Sequence, residues 1–133
     1  MIKDNSGSFL KGINSIPGEV SAEIERNIRR AAINIGSSII MGTPHDTGLA
    51  RGNWQTSVNE PIKTETTRED PNGSAAEGQL KSVVGSFQIG LDNAIYITNN
   101  LPYINRLNCG WSEEATPGYI ERAVEATQLQ IKG

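Results

Sequence analysis

An apolar stripe over residues 15–41 constrains this chain more than any other feature. Val20, Ile24, Ile28, Ala31, Ile35 and Ile39 recur at spacings of three and four, which sets them on one face of a helix. Ser15 is a suitable N-cap, and Pro17 is tolerated in the first turn. Glu19, Glu23 and Glu25 come early, as the helix dipole favours. Gly42 and Pro44 then end the helix. Arg26, Arg29 and Arg30 fall on what this pattern makes the solvated face. A helix this long must find cover for its stripe, so the remaining residues have to supply a second layer.

That second layer reads as a small antiparallel sheet and a closing helix. Residues 43–52 are rich in turn formers. Residues 53–58 then alternate, with Trp54, Thr56 and Val58 on one side of a strand. Residues 63–79 form a long polar loop with a turn at Pro71, Asn72 and Gly73. The spacing predicts a second strand over 80–89, carrying Val83, Phe87 and Ile89, and a third over 94–98. Ile104 and Leu107 allow one helical turn near 102–110. Thr116 as N-cap and Pro117 open a final helix whose apolar face holds Ile120, Ala123, Val124, Thr127 and Ile131. The expectation is one α+β domain over 1–133, with the long N-terminal helix and the C-terminal helix packed on one side of a small antiparallel sheet. Residues 1–14 precede it as an arm, with Phe9, Leu10 and Ile13 able to dock on a neighbour.

Composition narrows the functions open to such a domain. Only 36% of the 133 residues are apolar and seven are aromatic, a lean supply that suits a subunit whose partners bury part of its surface. The net charge of −3 and the lack of a basic cluster argue against phosphate-clamping contacts with nucleic acid. One cysteine, Cys109, excludes an intrachain disulfide, and with one histidine, His45, it makes a poor metal set. No metal or cofactor is therefore expected. Residues 1–8 lack the apolar core of a signal peptide, and no run is long enough to span a bilayer, so synthesis in the cytoplasm and no membrane contact are expected.

One triplet carries a chemical alternative. Asp46-Thr47-Gly48 matches the aspartate signature of aspartic proteases, which in a chain this short would require a retropepsin-like dimer. The triplet lacks the preceding apolar strand, however. An Asx-turn at Asp46 with Gly48 at positive φ accounts for the same residues. Arg51 reads as a surface charge or as a partner for Asp46, a structural role in either case. Trp54 and Trp111 are anchors for the core or for a subunit interface.

Two segments together resemble a known family. Thr43-Pro44-His45-Asp46-Thr47-Gly48-Leu49-Ala50-Arg51-Gly52-Asn53-Trp54 is similar to the Pro-x-Asp-Thr-Gly-x-Leu-Arg segment that follows a long helix in neck and tail-completion proteins of long-tailed bacteriophages. Tyr103 to Ser112, followed by Thr116-Pro117-Gly118, resembles the segment that leads into that family's C-terminal helix. The Leu-Arg pair is offset by one residue here, and Asn108 stands where a Glu is common. The resemblance implies a non-enzymatic virion protein that forms a ring, usually sixfold, at the top of the tail. Such a ring ends the tail tube or joins it to the head connector, and DNA passes through its lumen without specific binding. A small prophage-encoded adaptor is a further alternative.

Overall fold

The computed structural model describes residues 18–45, 47–109 and 118–132. In chain order the described elements are α1 (Gly18–Gly42), α2 (Leu49–Gly52), β1 (Trp54–Val58), α3 (Ser74–Gly85), β2 (Ile95–Asn99), α4 (Ile104–Asn108) and α5 (Tyr119–Lys132). The fold is α+β: five helices and a two-stranded antiparallel sheet among the described residues, with the first and last helices packing with the sheet.

The apolar stripe of α1 does what its period requires, but the buried centre lies toward its C-terminal half. Ile39 and Ile40 are core residues, and Ala32, Ile33 and Ile35 pack against that core. Gly36 has no side chain because the methyl groups of Leu80 on α3 occupy that space, with Ile97 of β2 close behind. This is how α1 and α3 approach one another closely. Leu80 and Val84 are fully buried, and Trp54, Leu101, Ile104, Tyr119 and Ala123 complete the core from the remaining elements.

Helix α3 corrects two sequence expectations. The expected strand over 80–89 is helical to Gly85, and the polar loop ends at Gly73, so residues 74–79 are helical as well. Ala76, Leu80 and Val84 recur every four residues and are all fully buried, which is the helical solution for the same apolar residues. Of the two or three strands expected, two are present among the described residues. The Asp70-Pro71-Asn72-Gly73 turn is where expected, closed by Gly73 N–H to the Asp70 carbonyl at 2.9 Å. Gly73 has φ +75°, as the first residue before α3.

Arg29 also departs from its expected place. It is half-buried, forms an ion pair with Glu25 at 3.2 Å, and donates from Nε and Nη2 to the Phe87 carbonyl at 3.1 and 2.6 Å. Glu25 in turn accepts from the Ile89 N–H at 2.9 Å. One turn of α1 thus holds the segment that follows α3. Arg26 and Arg30 are exposed, as expected.

In the sheet, Trp54 pairs with Asn99, Thr56 with Ile97 and Val58 with Ile95. The Asn59 N–H donates to the Ala94 carbonyl at 2.8 Å, continuing the same register. Antiparallel ladders alternate, so Gln55, Ser57 and Asn59 carry the inter-strand bonds, while the main-chain groups of Trp54, Thr56 and Val58 face outward. Side chains of the same chain meet this outer edge of β1. Gln79 accepts from the Thr56 N–H at 3.2 Å, and Arg68 Nη2 donates to the Trp54 carbonyl at 3.1 Å.

Candidate functional site

The segment that carries the family resemblance, residues 43–54, folds into a tight turn with a buried polar interior. Gly48 takes φ +83°, as the sequence led us to expect. A side chain there would collide with Pro71 and with the Asp70 nitrogen. Thr47 is exposed, and its Oγ1 accepts from the Leu49 N–H at 3.3 Å, a weak turn contact. Asp46 lies outside the described residues, as do Phe9, Leu10, Ile13, Trp111, Thr116 and Pro117.

Arg51 is only 8% exposed, so it is not the surface charge the sequence allowed; its other suggested partner, Asp46, lies outside the described residues. Its guanidinium fork donates to three main-chain carbonyls: Nε to Thr43 at 2.8 Å, Nη1 to Pro71 at 2.7 Å and Nη2 to Met41 at 2.8 Å. Met41 belongs to the last turn of α1, whose final carbonyls have no intrahelical partner. A cation suits that end of the dipole. Pro71 lies in the turn before α3. One side chain therefore fixes the end of α1 relative to the start of α3.

Asn53 does the corresponding work on the other side of the turn. It is fully buried; Nδ2 donates to the Leu49 and Thr66 carbonyls, and Oδ1 accepts from the Thr66 N–H, all at 2.9 Å. Arg68 adds Nε to the Gly52 carbonyl at 3.0 Å, and Gln55 reaches the Thr64 carbonyl at 2.8 Å. Gly52 has no room for a Cβ beneath the Arg68 carbonyl. The polar stretch after β1 is thus bound along its own chain by side-chain amides and a guanidinium.

Asp70 links this turn to α3. Its N–H donates to the Gly48 carbonyl at 2.9 Å, and its carboxylate accepts from the N–H groups of Ala75 and Ala76 at 3.2 and 2.8 Å. That caps the helix from outside, since Gly73 at the cap position has no side chain to do so.

Thr43 joins the turn to the C-terminal helix. Its hydroxyl proton goes to the Ile39 carbonyl at 2.7 Å, leaving lone pairs for Trp54 Nε1–H at 2.8 Å and for the Tyr119 hydroxyl at 3.3 Å. Burial pushes the Tyr119 hydroxyl above its ordinary pKa, with a lesser upward contribution from Glu121. Trp54 is a buried residue of the chain's own core.

A second cap stands at the other resembling segment. Asn108 Oδ1 accepts from the Ile120 N–H at 3.0 Å, its carbonyl accepts from the Gly118 N–H at 2.7 Å, and Nδ2 donates to both Glu121 carboxylate oxygens at 2.8 and 3.1 Å. Glu121 is held below the usual carboxylate range, first by that amide and then by a backbone N–H. An amide serves here because it can both accept from the helix and donate to Glu121, which a carboxylate could not.

The sequence reading missed Asn53, Asp70 and Asn108 as organising residues. A signal existed for each, an Asx residue beside a glycine or before a helix, but their partners are mostly main-chain groups that no spacing identifies. Chemically, the arrangement fixes backbone. Among the described residues, no group of three or more His, Cys, Asp and Glu could hold a metal ion, and no helix is long and apolar enough to cross a membrane. No protein-family model, curated protein or solved structure matches the chain.

Proposed function

We propose that this protein is a non-enzymatic structural subunit of a phage neck or tail-completion ring, acting at the top of the tail where the tube meets the head connector. The observation that carries this reading is the use made of the resembling segment 43–54. Arg51, Asn53 and Gly48 in it serve backbone geometry, locking the junction of α1, β1 and α3. A segment used this way is a rigid scaffold, which suits a subunit that repeats one contact around a ring. The α+β order, with a long helix first and a helix last, supports the same reading.

In this reading the terminal helices lie on one side of the sheet, and the ring closes by one head-to-tail interface repeated about an axis. Phe9, Leu10, Ile13 and Trp111 are the candidate interface residues outside the described segments. DNA crosses the lumen without being gripped, which the net charge of −3 favours.

Native mass spectrometry of the purified chain over a concentration series tests this. A closed hexamer, or another single ring-sized multiple, is the expected species. A chain that stays monomeric or stops at a dimer at the highest concentration overturns it.

A further inference from the structure

The two edges of the small sheet are treated differently. The outer edge of β1 is met by Gln79 and Arg68 of the same chain. Among the described residues, the outer edge of β2 is not. In the register of the ladder, the N–H and C=O groups of Ile95 and Ile97 point away from β1, and they meet no partner among the described residues. Strand β2 (Ile-Tyr-Ile-Thr-Asn) also lacks the usual protections of an open edge, since it holds no charge and no proline. A two-stranded sheet with one open edge is a template for a further strand.

We propose that this edge receives the N-terminal arm of a neighbouring subunit as a third strand. The inference rests on the ring reading above and names its contact. The arm is residues 1–14. At about 3.3 Å per extended residue it reaches roughly 46 Å, enough to cross to an adjacent subunit. Within the arm, residues 5–10 (Asn-Ser-Gly-Ser-Phe-Leu) are uncharged, matching the uncharged edge. In the proposed register Leu10 lies on the face of Ile95 and Ile97, an aliphatic match, so that Phe9 and Lys11 lie on the face of Tyr96. To pair in its own subunit, the arm would first have to reverse and run back beside α1. Gly36, the α1 residue opposite Ile97, lies eighteen residues beyond Gly18, or about 27 Å of helix. Donation to the next subunit needs no such reversal and produces a head-to-tail contact, the kind that closes rings.

Two chains, both with Cys109→Ser, are mixed: one carries Phe9→Cys or Lys11→Cys, the other Tyr96→Cys. After assembly and mild oxidation, a disulfide between the two chains is expected. Amide exchange at Ile95 and Ile97 is expected to slow at least tenfold in the ring. Tyr96→Lys places a charge on the edge and is expected to weaken assembly at least tenfold with the melting temperature in dilute solution unchanged. A ring that forms while Ile95 and Ile97 exchange unprotected overturns the edge contact and leaves the ring reading standing. A ring that forms with no disulfide between the mixed chains, while a chain carrying both cysteines closes one within itself, overturns the donation to a neighbour. A chain that forms no ring overturns both.

Discussion

Among the described residues, three donor groups of Arg51 go to carbonyls of the main chain, which makes its geometry as important as its charge. Lysine keeps the charge and loses the fork, so it can serve one of the three acceptors well. Arg51→Lys is expected to cost about 2–3 kcal/mol, the range for hydrogen bonds to a charged donor and for buried acceptors left unserved. Urea denaturation checks this: the midpoint should fall with the slope unchanged, while Arg26→Ala on the exposed face of α1 should leave it within about 0.5 kcal/mol. Gly52 is a second single-residue constraint, because a methyl group there meets the Arg68 carbonyl. Gly52→Ala should destabilise by about 1–3 kcal/mol, the usual cost of overpacking, and should raise amide exchange at Thr66 as the segment lifts. Gly48 was legible from sequence because a Pro-x-Asp-Thr-Gly turn is punctuated locally. The fork of Arg51 was not, because Met41 and Pro71 offer only carbonyls, and every residue has one.

Helix α3 was harder to read than α1 because its apolar residues suit two periods. Val83, Phe87 and Ile89 sit at even steps, and Val83-Val84 is β-branched, which favours a strand. Ala76, Leu80 and Val84 sit at steps of four, and the fold buries that set. The deciding feature lies outside the periodic stretch, where Asp70 caps α3 across the Pro-Asn-Gly turn. Asp70→Ala is therefore expected to cost about 1 kcal/mol, and Asp70→Asn less, since an amide oxygen still accepts. Thermal melts of the two variants should fall in that order; equal losses would mean the carboxylate acts in some other way. At the last helix, the pH dependence follows from Glu121. Its folded pKa lies below the ordinary value of 4.5, so the contact with Asn108 stabilises the fold above that value and is lost as pH falls through the depressed one. Glu121→Gln should remove this acid-side loss, so the melting temperatures of wild type and variant should converge as pH falls from above 4.5 through the depressed value. The effect should be small, because Glu121 is exposed.

For the whole molecule, the question is how a lean core sustains the five helices and two strands of the described residues. The apolar cluster is continuous from α1 to α5, yet its largest fully buried side chains include Asn53 and Thr43 beside Ile40, Leu80 and Val84. Buried polar groups that are all satisfied give a defined geometry, but each adds only about 1 kcal/mol of net stability. A domain organised in this way gains more from added interface than from added internal contacts. If the chain assembles as proposed, its stability must depend on its own concentration, because only the folded subunit associates. At a free subunit concentration a hundredfold above the dissociation constant, association adds about 2.7 kcal/mol. For a chain of 133 residues each kcal/mol raises the melting temperature by about 4 °C, so a rise of roughly 10 °C is expected across that range. Scanning calorimetry from micromolar to near-millimolar protein measures it directly. The rise should disappear in Tyr96→Lys, whose charge lies on the open edge of β2, while the dilute limit stays at the wild-type value. A melting temperature that does not change with concentration would mean that the fold completes its own stability, leaving the open edge of β2 without a part in holding subunits together.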